Sequence, residues 1–304
     1  MSIALGFRTR LPKANLRDEI PMLTRRTFLQ GALASGTAGL SFARSTLKIG
    51  VMDGVLRKSG KPEAFALARQ LGLEGLQVTI GKSSDGKSLS LEDPDLQRAY
   101  LAASKETGIP IDATYLDMLH VSCLKNDPGA AAWVEKGIDI TKNLHAGILM
   151  TVFFGKCAVT SRQELDHTIG VFRALVSKAE AAGVVIGFEN TLSGEDNRYA
   201  VDRINSKAFK VWYDVGNSTY NHYDVPAEIR MLGRDRICEF HFKDKGYLGE
   251  GEVHFKPILE AIDAIGFSGY ANLETASPSG SVLQDTKRNL DYLRRLRSDP
   301  TQGG

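Results

Sequence analysis

Cysteine and tryptophan are both scarce in this chain of 304 residues. The three cysteines, Cys123, Cys157 and Cys238, are odd in number, widely spaced and set in apolar or strand-like stretches. That pattern excludes the dense disulfide framework of a small secreted domain and a Cys-x-x-Cys metal site, and it predicts buried thiols. The two tryptophans, Trp133 and Trp212, read as packing residues. No Gly-x-Gly-x-x-Gly follows the first candidate strand, which argues against an open dinucleotide-binding sheet. No apolar run approaches the roughly 20 residues of a stable membrane span. Nothing is repetitive, proline-rich or acidic enough to be disordered by composition. Charge of one sign is lacking too, since 38 basic and 36 acidic side chains leave a net +2.

What asymmetry there is sits at the start. The first 43 residues hold Arg8, Arg10, Lys13, Arg17, Arg25 and Arg26 against Asp18 and Glu19, followed by a mildly apolar run from Phe28 to Ala43. Thr24-Arg25-Arg26-Thr27-Phe28-Leu29 resembles the twin-arginine export signature, and Ser41-Phe42-Ala43 supplies the small residues a signal peptidase needs. Gly31, Gly36 and Gly39 make the run a poor first helix for a folded domain. The expectation is a signal over residues 1–43, starting at Met1 or, more compactly, at Met22, that sends the chain to the periplasm through the twin-arginine machinery. That machinery carries folded proteins, so a metal would be loaded beforehand and the cysteines would be reduced. The first 43 residues contain 6 basic and 2 acidic side chains, so the remainder has 32 and 34, a net −2. A domain with that balance has no general electrostatic footprint for nucleic acid.

From Leu47 onward, short apolar runs alternate with longer amphipathic ones, the pattern of βαβ units around a parallel sheet. Candidate strands span 48–52, 75–80, 111–115, 147–154, 184–189, 210–214, 237–242 and 269–274, several of them apolar throughout, as strands covered on both faces must be. Helix signals fall between them. Asp93-Pro94 opens a helix that stops at Gly108, and Ser161-Arg162-Gln163-Glu164 is a capping box for one that ends at Gly183. Pro62, Pro128 and Pro226 sit near three more starts, and 281–297 forms a last amphipathic helix. Eight strands with eight helices in about 250 residues predict an α/β fold, a single (β/α)8 TIM barrel over 46–297 with a loose tail at 298–304. The sequence is compatible with a homo-oligomer.

In such a barrel the catalytic side chains stand at the carboxyl ends of strands. Here strand five ends on Glu189, strand six on Asp214, strand seven carries His241 near its end, and strand eight ends on Glu274. Their spacings of 25, 27 and 33 residues are each about one βα unit, so the four side chains should meet on one rim. Singly each has an ordinary reading: Asp214 as a turn former, His241 as a core histidine, the glutamates as partners of a nearby Lys or Arg. Three carboxylates crowded at the ends of apolar strands, however, demand a cation. Three carboxylates and an imidazole suit Mn²⁺, Mg²⁺, Co²⁺ or Zn²⁺, with coordination positions left for substrate.

These strand ends, with His241-Phe242-Lys243-Asp244 and the segment from Gly249 to Phe255, resemble the xylose isomerase-like barrel superfamily, particularly its sugar phosphate isomerase/epimerase branch, over about 47–297. The resemblance implies one divalent ion, Mn²⁺ first, on Glu189, Asp214, His241 and Glu274, with Glu189 and Glu274 as the acid/base pair. In ketose 3-epimerases of this superfamily a glutamate at the position of Glu195 touches substrate. Where those enzymes have a histidine and an arginine, this chain has Asn217 and Tyr247, so the sugar-reading residues depart from that pattern.

The implied activity is that of an isomerase or epimerase acting on a sugar or keto-sugar through an enediolate, which the ion stabilises. The same intermediate supports a lyase or hydratase on 3-keto-glycosides if a leaving group sits at the β carbon. Export favours unphosphorylated substrates. A DNA-repair role like that of endonuclease IV needs more strand-end histidines than this chain offers. By alternation Lys243 faces the same side as His241, either towards a substrate oxygen or as a solvated lysine. Asp244 and His120 complete the candidate substrate contacts, and Tyr220, His222 and Tyr223 are candidates for a pocket floor.

Overall fold

The computed structural model describes residues 46–83 and 86–298; the export signal expected over residues 1–43 and the tail beyond Ser298 lie outside them. Eight parallel strands close into a barrel in sequence order, β1 (Lys48–Met52), β2 (Gly75–Thr79), β3 (Ile111–Leu116), β4 (Ile148–Val152), β5 (Val185–Glu189), β6 (Phe209–Asp214), β7 (Ile237–Phe242) and β8 (Tyr270–Leu273), with β8 pairing back onto β1. Between and after them run α1 (Ala64–Leu71), α2 (Pro94–Thr107), α3 (Ala130–Asn143), α4 (Arg162–Ala182), α5 (Gly194–Ile204), α6 (Val215–Tyr220), α7 (Val225–Arg236), α8 (Phe255–Ala264) and α9 (Val282–Ser298). The expected strands differ from these by at most a few residues. The loop after β6 holds a short extra helix, α6, that the sequence pattern did not announce.

The local signals work as the side chains dictate, with one displacement. Asp93 accepts a hydrogen bond from the Asp95 amide at 2.9 Å, Pro94 opens α2, and Gly108 ends it with φ 71°. Ser161 accepts from the Glu164 amide at 3.2 Å, but the Glu164 carboxylate reaches one residue further back than a capping box requires, to the Thr160 amide at 2.7 Å. There it also holds Lys125, at 2.9 Å.

Strand alternation sorts the side chains into two layers. Phe188, Phe240 and Phe242 point out towards helices, and Phe172 of α4 lies on Phe153, Phe188 and Phe209, with ring centroids 5.9, 5.8 and 4.8 Å away. Glu239, His241 and Asn272 point inward. Low in the barrel, Asn272 donates to Glu239 at 3.2 Å, and a methyl group at Gly50 would overlap both Asn272 and Asp112. Glycine there is what leaves room for this polar floor.

The cysteines correct the expectation of three thiols. Cys123, after β3, and Cys157, after β4, form a disulfide across 34 residues, and only Cys238 remains a free buried thiol. Sequence spacing concealed the pair because the parallel pairing of β3 with β4 is what brings the two loops together.

Phe172→Ala should cost about 3–5 kcal/mol of stability, since it removes a fully buried ring from a four-ring cluster. Denaturant unfolding checks this, and a loss under about 1 kcal/mol would show that the cluster does not hold α4 to the barrel.

Candidate metal centre

Glu189, Asp214, His241 and Glu274 meet on one rim of the barrel, each offering a ligand atom, all within 4.8 Å of one another. Strand geometry explains the convergence: each residue is inward-facing at or just beyond the carboxyl end of its strand. His241 Nδ1 lies 2.7 Å from Glu189 Oε1 and 3.3 Å from Glu274 Oε2. Asp214 caps α6, accepting the Asn217 amide at 2.8 Å through Oδ1, which aims Oδ2 at the others. Side-chain exposure is 3% for Glu189, 1% for Asp214 and 1% for His241, against 35% for Glu274, so Glu274 is the ligand open to the cavity.

Two residues complete the centre. Lys243 is no solvated lysine: its ammonium lies 2.7 Å from Asp214 Oδ2 and 2.9 Å from Glu274 Oε2. Gln77, on β2, gives no sign of itself in the sequence. Its Oε1 lies 2.8 Å from His241 Nε2 while its own amide donates to Met150 Sδ at 3.1 Å. An Nε2–H donated to Gln77 leaves Nδ1 facing the three carboxylates, the orientation a ligating histidine needs. Trp212 packs edge-on against the ring, centroids 4.9 Å apart.

The charges are strongly coupled. Burial alone would lower the His241 pKa, but the charge and hydrogen bond of Glu189, with those of Glu274, outweigh it and raise it to about 10. Burial pushes Asp214 up to about 7, with Lys243 opposing and the two glutamates adding to the rise. Burial also acts on Glu274, yet His241 and Lys243 hold it well below the ordinary carboxylate range. Beneath the centre, burial raises Asp112 to about 8 and Glu239 well above its usual value, so the floor stays largely protonated near neutrality and adds little charge. Two cations thus face three carboxylates, and Asp214 Oδ2 has no well-aligned hydrogen-bond donor despite its contact with Lys243. A buried anionic oxygen in that state, in a set of hard oxygens plus one imidazole, fits a divalent cation.

The centre opens into a cavity of about 340 Å³. Met52, Met150, Val152 and Phe154 form its apolar side, and Tyr115, His120 and Asn217 join the ligands on its polar side. Of the expected substrate contacts, His120, Asn217 and Lys243 line this cavity. Glu195, Asp244 and Tyr247 do not. Glu195 is exposed in the first turn of α5. Asp244 is buried and spends its carboxylate on the amides of Lys245, Gly249, Gly251, Glu252 and Val253, which fixes the loop after β7. Tyr247 donates to Asp285 on α9 at 2.7 Å and stacks under Arg288. Alternation correctly turns Lys243 towards the cavity, but β7 ends at Phe242 and the chain beyond it folds Asp244 into its own loop. The suggested pocket floor is also elsewhere: Tyr220 packs against Lys245, Tyr223 reaches the Thr191 carbonyl, and His222 does not line the cavity.

Residues 65–296 match the family described as xylose isomerase-like TIM barrel. The chain is 27% identical over 263 residues to 2-epi-5-epi-valiolone 7-phosphate 2-epimerase of Actinoplanes sp., covering 84% of this chain and 92% of that one. Among solved structures, D-allulose 3-epimerase from Methylomonas sp. superposes with a TM-score of 0.69 at 17% identity, over 84% of this chain and 99% of that one. The 3-keto-D-glucoside 4-epimerase of E. coli gives 0.66 at 16% identity, over 82% and 99%. At such identities these structures bear on the fold.

Metal affinity should rise with pH between about 6 and 10. His241 must give up the Nδ1 proton and Asp214 its own before either can bind, so protons and cation compete for the same atoms. Each released proton contributes up to about tenfold in affinity per pH unit. Mn²⁺ calorimetry in buffers of different ionisation enthalpy counts those protons; an affinity constant across that range would contradict the assignment of His241 and Asp214 as ligands.

Proposed function

The chain belongs to the xylose isomerase-like TIM barrel family, and from that premise we propose that it is a metal-dependent isomerase or epimerase of a sugar or keto-sugar, with Glu189 and Glu274 as its acid/base pair. The observation that carries this reading is the meeting of two glutamates in different surroundings at one cation-seeking centre. Its relatives named for epimerisation of sugars and sugar derivatives support the same enzyme class.

Glu189, Asp214, His241 and Glu274 would hold the cation. A divalent ion held there, Mn²⁺ by family resemblance, would supply Lewis acidity that makes the C–H beside the carbonyl of an α-hydroxy ketone more acidic. Glu274 is the open carboxylate, kept unprotonated by His241 and Lys243, and it faces the cavity from which a substrate proton would come. Glu189 sits deeper, fixed by His241, and its proton exchange from another side of the same carbon would invert the centre. Lys243 neutralises Asp214 and Glu274 and stands where a substrate oxygen would pass. Gln77 and Trp212 hold the imidazole in place.

The substrate we propose is unphosphorylated. Among the described residues, Lys243 is the single lysine or arginine lining the cavity and is already paired twice, which leaves none of them unpaired for a phosphate. A 3-keto-glycoside fits the same argument. The twin-arginine-like segment over 24–29 supports it from a second direction, since export to the periplasm would keep the enzyme from cytoplasmic phosphosugars. Arg25→Lys with Arg26→Lys should retain the protein in the cytoplasm on cell fractionation; continued appearance in the periplasm would remove the twin-arginine reading.

Incubation with a keto-sugar in D₂O tests the chemistry. Wild type should wash deuterium into the carbon beside the carbonyl, and Glu189→Gln or Glu274→Gln should each slow this by about 10² to 10⁴. Release of an aglycone instead would identify a lyase. Full-rate exchange in either variant would exclude that glutamate from proton transfer.

A further inference from the structure

We propose that the loops after β3 and β4 form one stapled wall that recognises the sugar, in which the Tyr115–His120 pair backed by Phe154 determines specificity and the Cys123–Cys157 disulfide positions it. This rests on the reading of the cavity as a sugar site.

Tyr115, His120 and Phe154 line the cavity that holds Glu189, His241 and Glu274. The Tyr115 hydroxyl lies 2.5 Å from His120 Nε2, and the His120 and Phe154 rings are 6.1 Å apart with an interplanar angle of 30°. Burial first, and then the charges of Glu189, Asp117 and Glu274, hold the Tyr115 phenol protonated. With the phenol donating to Nε2, the imidazole carries its own N–H on Nδ1 and can offer it to a hydroxyl. A sugar ring offers hydroxyl acceptors at its edge and C–H groups on its faces, so a donor beside an aromatic plane matches both.

Tyr115 stands on β3, but no strand or α-helix holds His120 or Phe154. His120 ends a one-turn 3₁₀ helix (Asp117–His120) and is exposed, and the next residue, Val121, keeps 59% of its surface. A loop tip of this kind is ordinarily among the first parts of a barrel to move. Here it is tied to the following loop by several contacts. The disulfide joins Cys123 to Cys157, three residues from Phe154. Lys125 donates to the Ala158 carbonyl at 2.7 Å and pairs with Glu164 at 2.9 Å. Cys157 Sγ lies 3.4 Å from the His120 carbonyl. None of these ties touches the four candidate metal ligands. Their effect should therefore be to pre-order the recognition surface, which lowers the entropy lost on binding, without changing the metal centre.

Binding of methyl 3-keto-α-D-glucopyranoside and of D-allulose to the Mn²⁺-loaded full chain, read by calorimetry, tests the proposal. Three samples join the wild type: Cys123→Ser with Cys157→Ser, His120→Ala, and His120→Gln. A fourth is wild type treated with dithiothreitol, whose two thiols pass two electrons and two protons to the bridge and close into a cyclic disulfide. Loss of the bridge and loss of the imidazole should each weaken binding of the preferred sugar by roughly 3- to 10-fold, the range for one hydrogen bond or its pre-ordering. His120→Gln should recover most of that loss, Mn²⁺ content should be unchanged, and amide exchange across 117–127 should quicken only where the bridge is gone. If the double serine variant fails to fold, the reduced wild type and the His120 variants decide the matter. Affinities within twofold of wild type in both the bridge-free and His120→Ala proteins, with Mn²⁺ bound, overturn the wall alone. Wild type that binds neither ketose overturns the sugar reading and the wall with it.

Discussion

Three carboxylates and one imidazole gathered within 4.8 Å of one another at a barrel rim are the constraint on which the other features depend. Their mutual repulsion and desolvation are costly, and the fold meets that cost from several directions. His241 takes up a proton between Glu189 and Glu274. Lys243 reaches across to Asp214 and Glu274. The α6 N-terminus presents the Asn217 amide to Asp214. Even so, two cations face three carboxylates, and the negative charge left over suits a divalent cation.

The layer below matters for the same reason. Asp112 and Glu239 would add two more negative charges directly under the centre if they ionised. Burial keeps them largely protonated near neutrality, and Asn272 ties Glu239 into the floor. The polar interior is therefore divided by depth into protonated acids below and ionised ligands above, with Gln77 between them holding the imidazole. Gly50 belongs to the same arrangement, because any side chain there would displace Asn272 and Asp112.

Rigidity is distributed differently around the rim. On the β5 to β8 side it comes from strands and from Asp244, whose carboxylate gathers five backbone amides and shapes the loop after β7. On the β3 and β4 side it comes from cross-links between loops: a disulfide, a lysine bridge and an aromatic contact. The four candidate metal ligands stand on the first side, and Tyr115, His120 and Phe154 line the cavity on the second.

Alternating apolar runs, helix caps and a ligand-type residue at four successive strand ends are linear features, and they were sufficient for the barrel, its strand order and the identity of the four converging side chains. Local periodicity decides which way a side chain faces within a strand, and spacing by one βα unit decides that consecutive strand ends share a rim. Partnerships across the closed sheet are of another kind. Gln77 meets His241 from 164 residues away, Cys123 meets Cys157 only because β3 lies against β4, and Asp244 turns from the cavity because the chain leaves the strand just before it. These were decided by the tertiary structure, since they depend on which loops and strands closure brings together, and no local pattern encodes that distance.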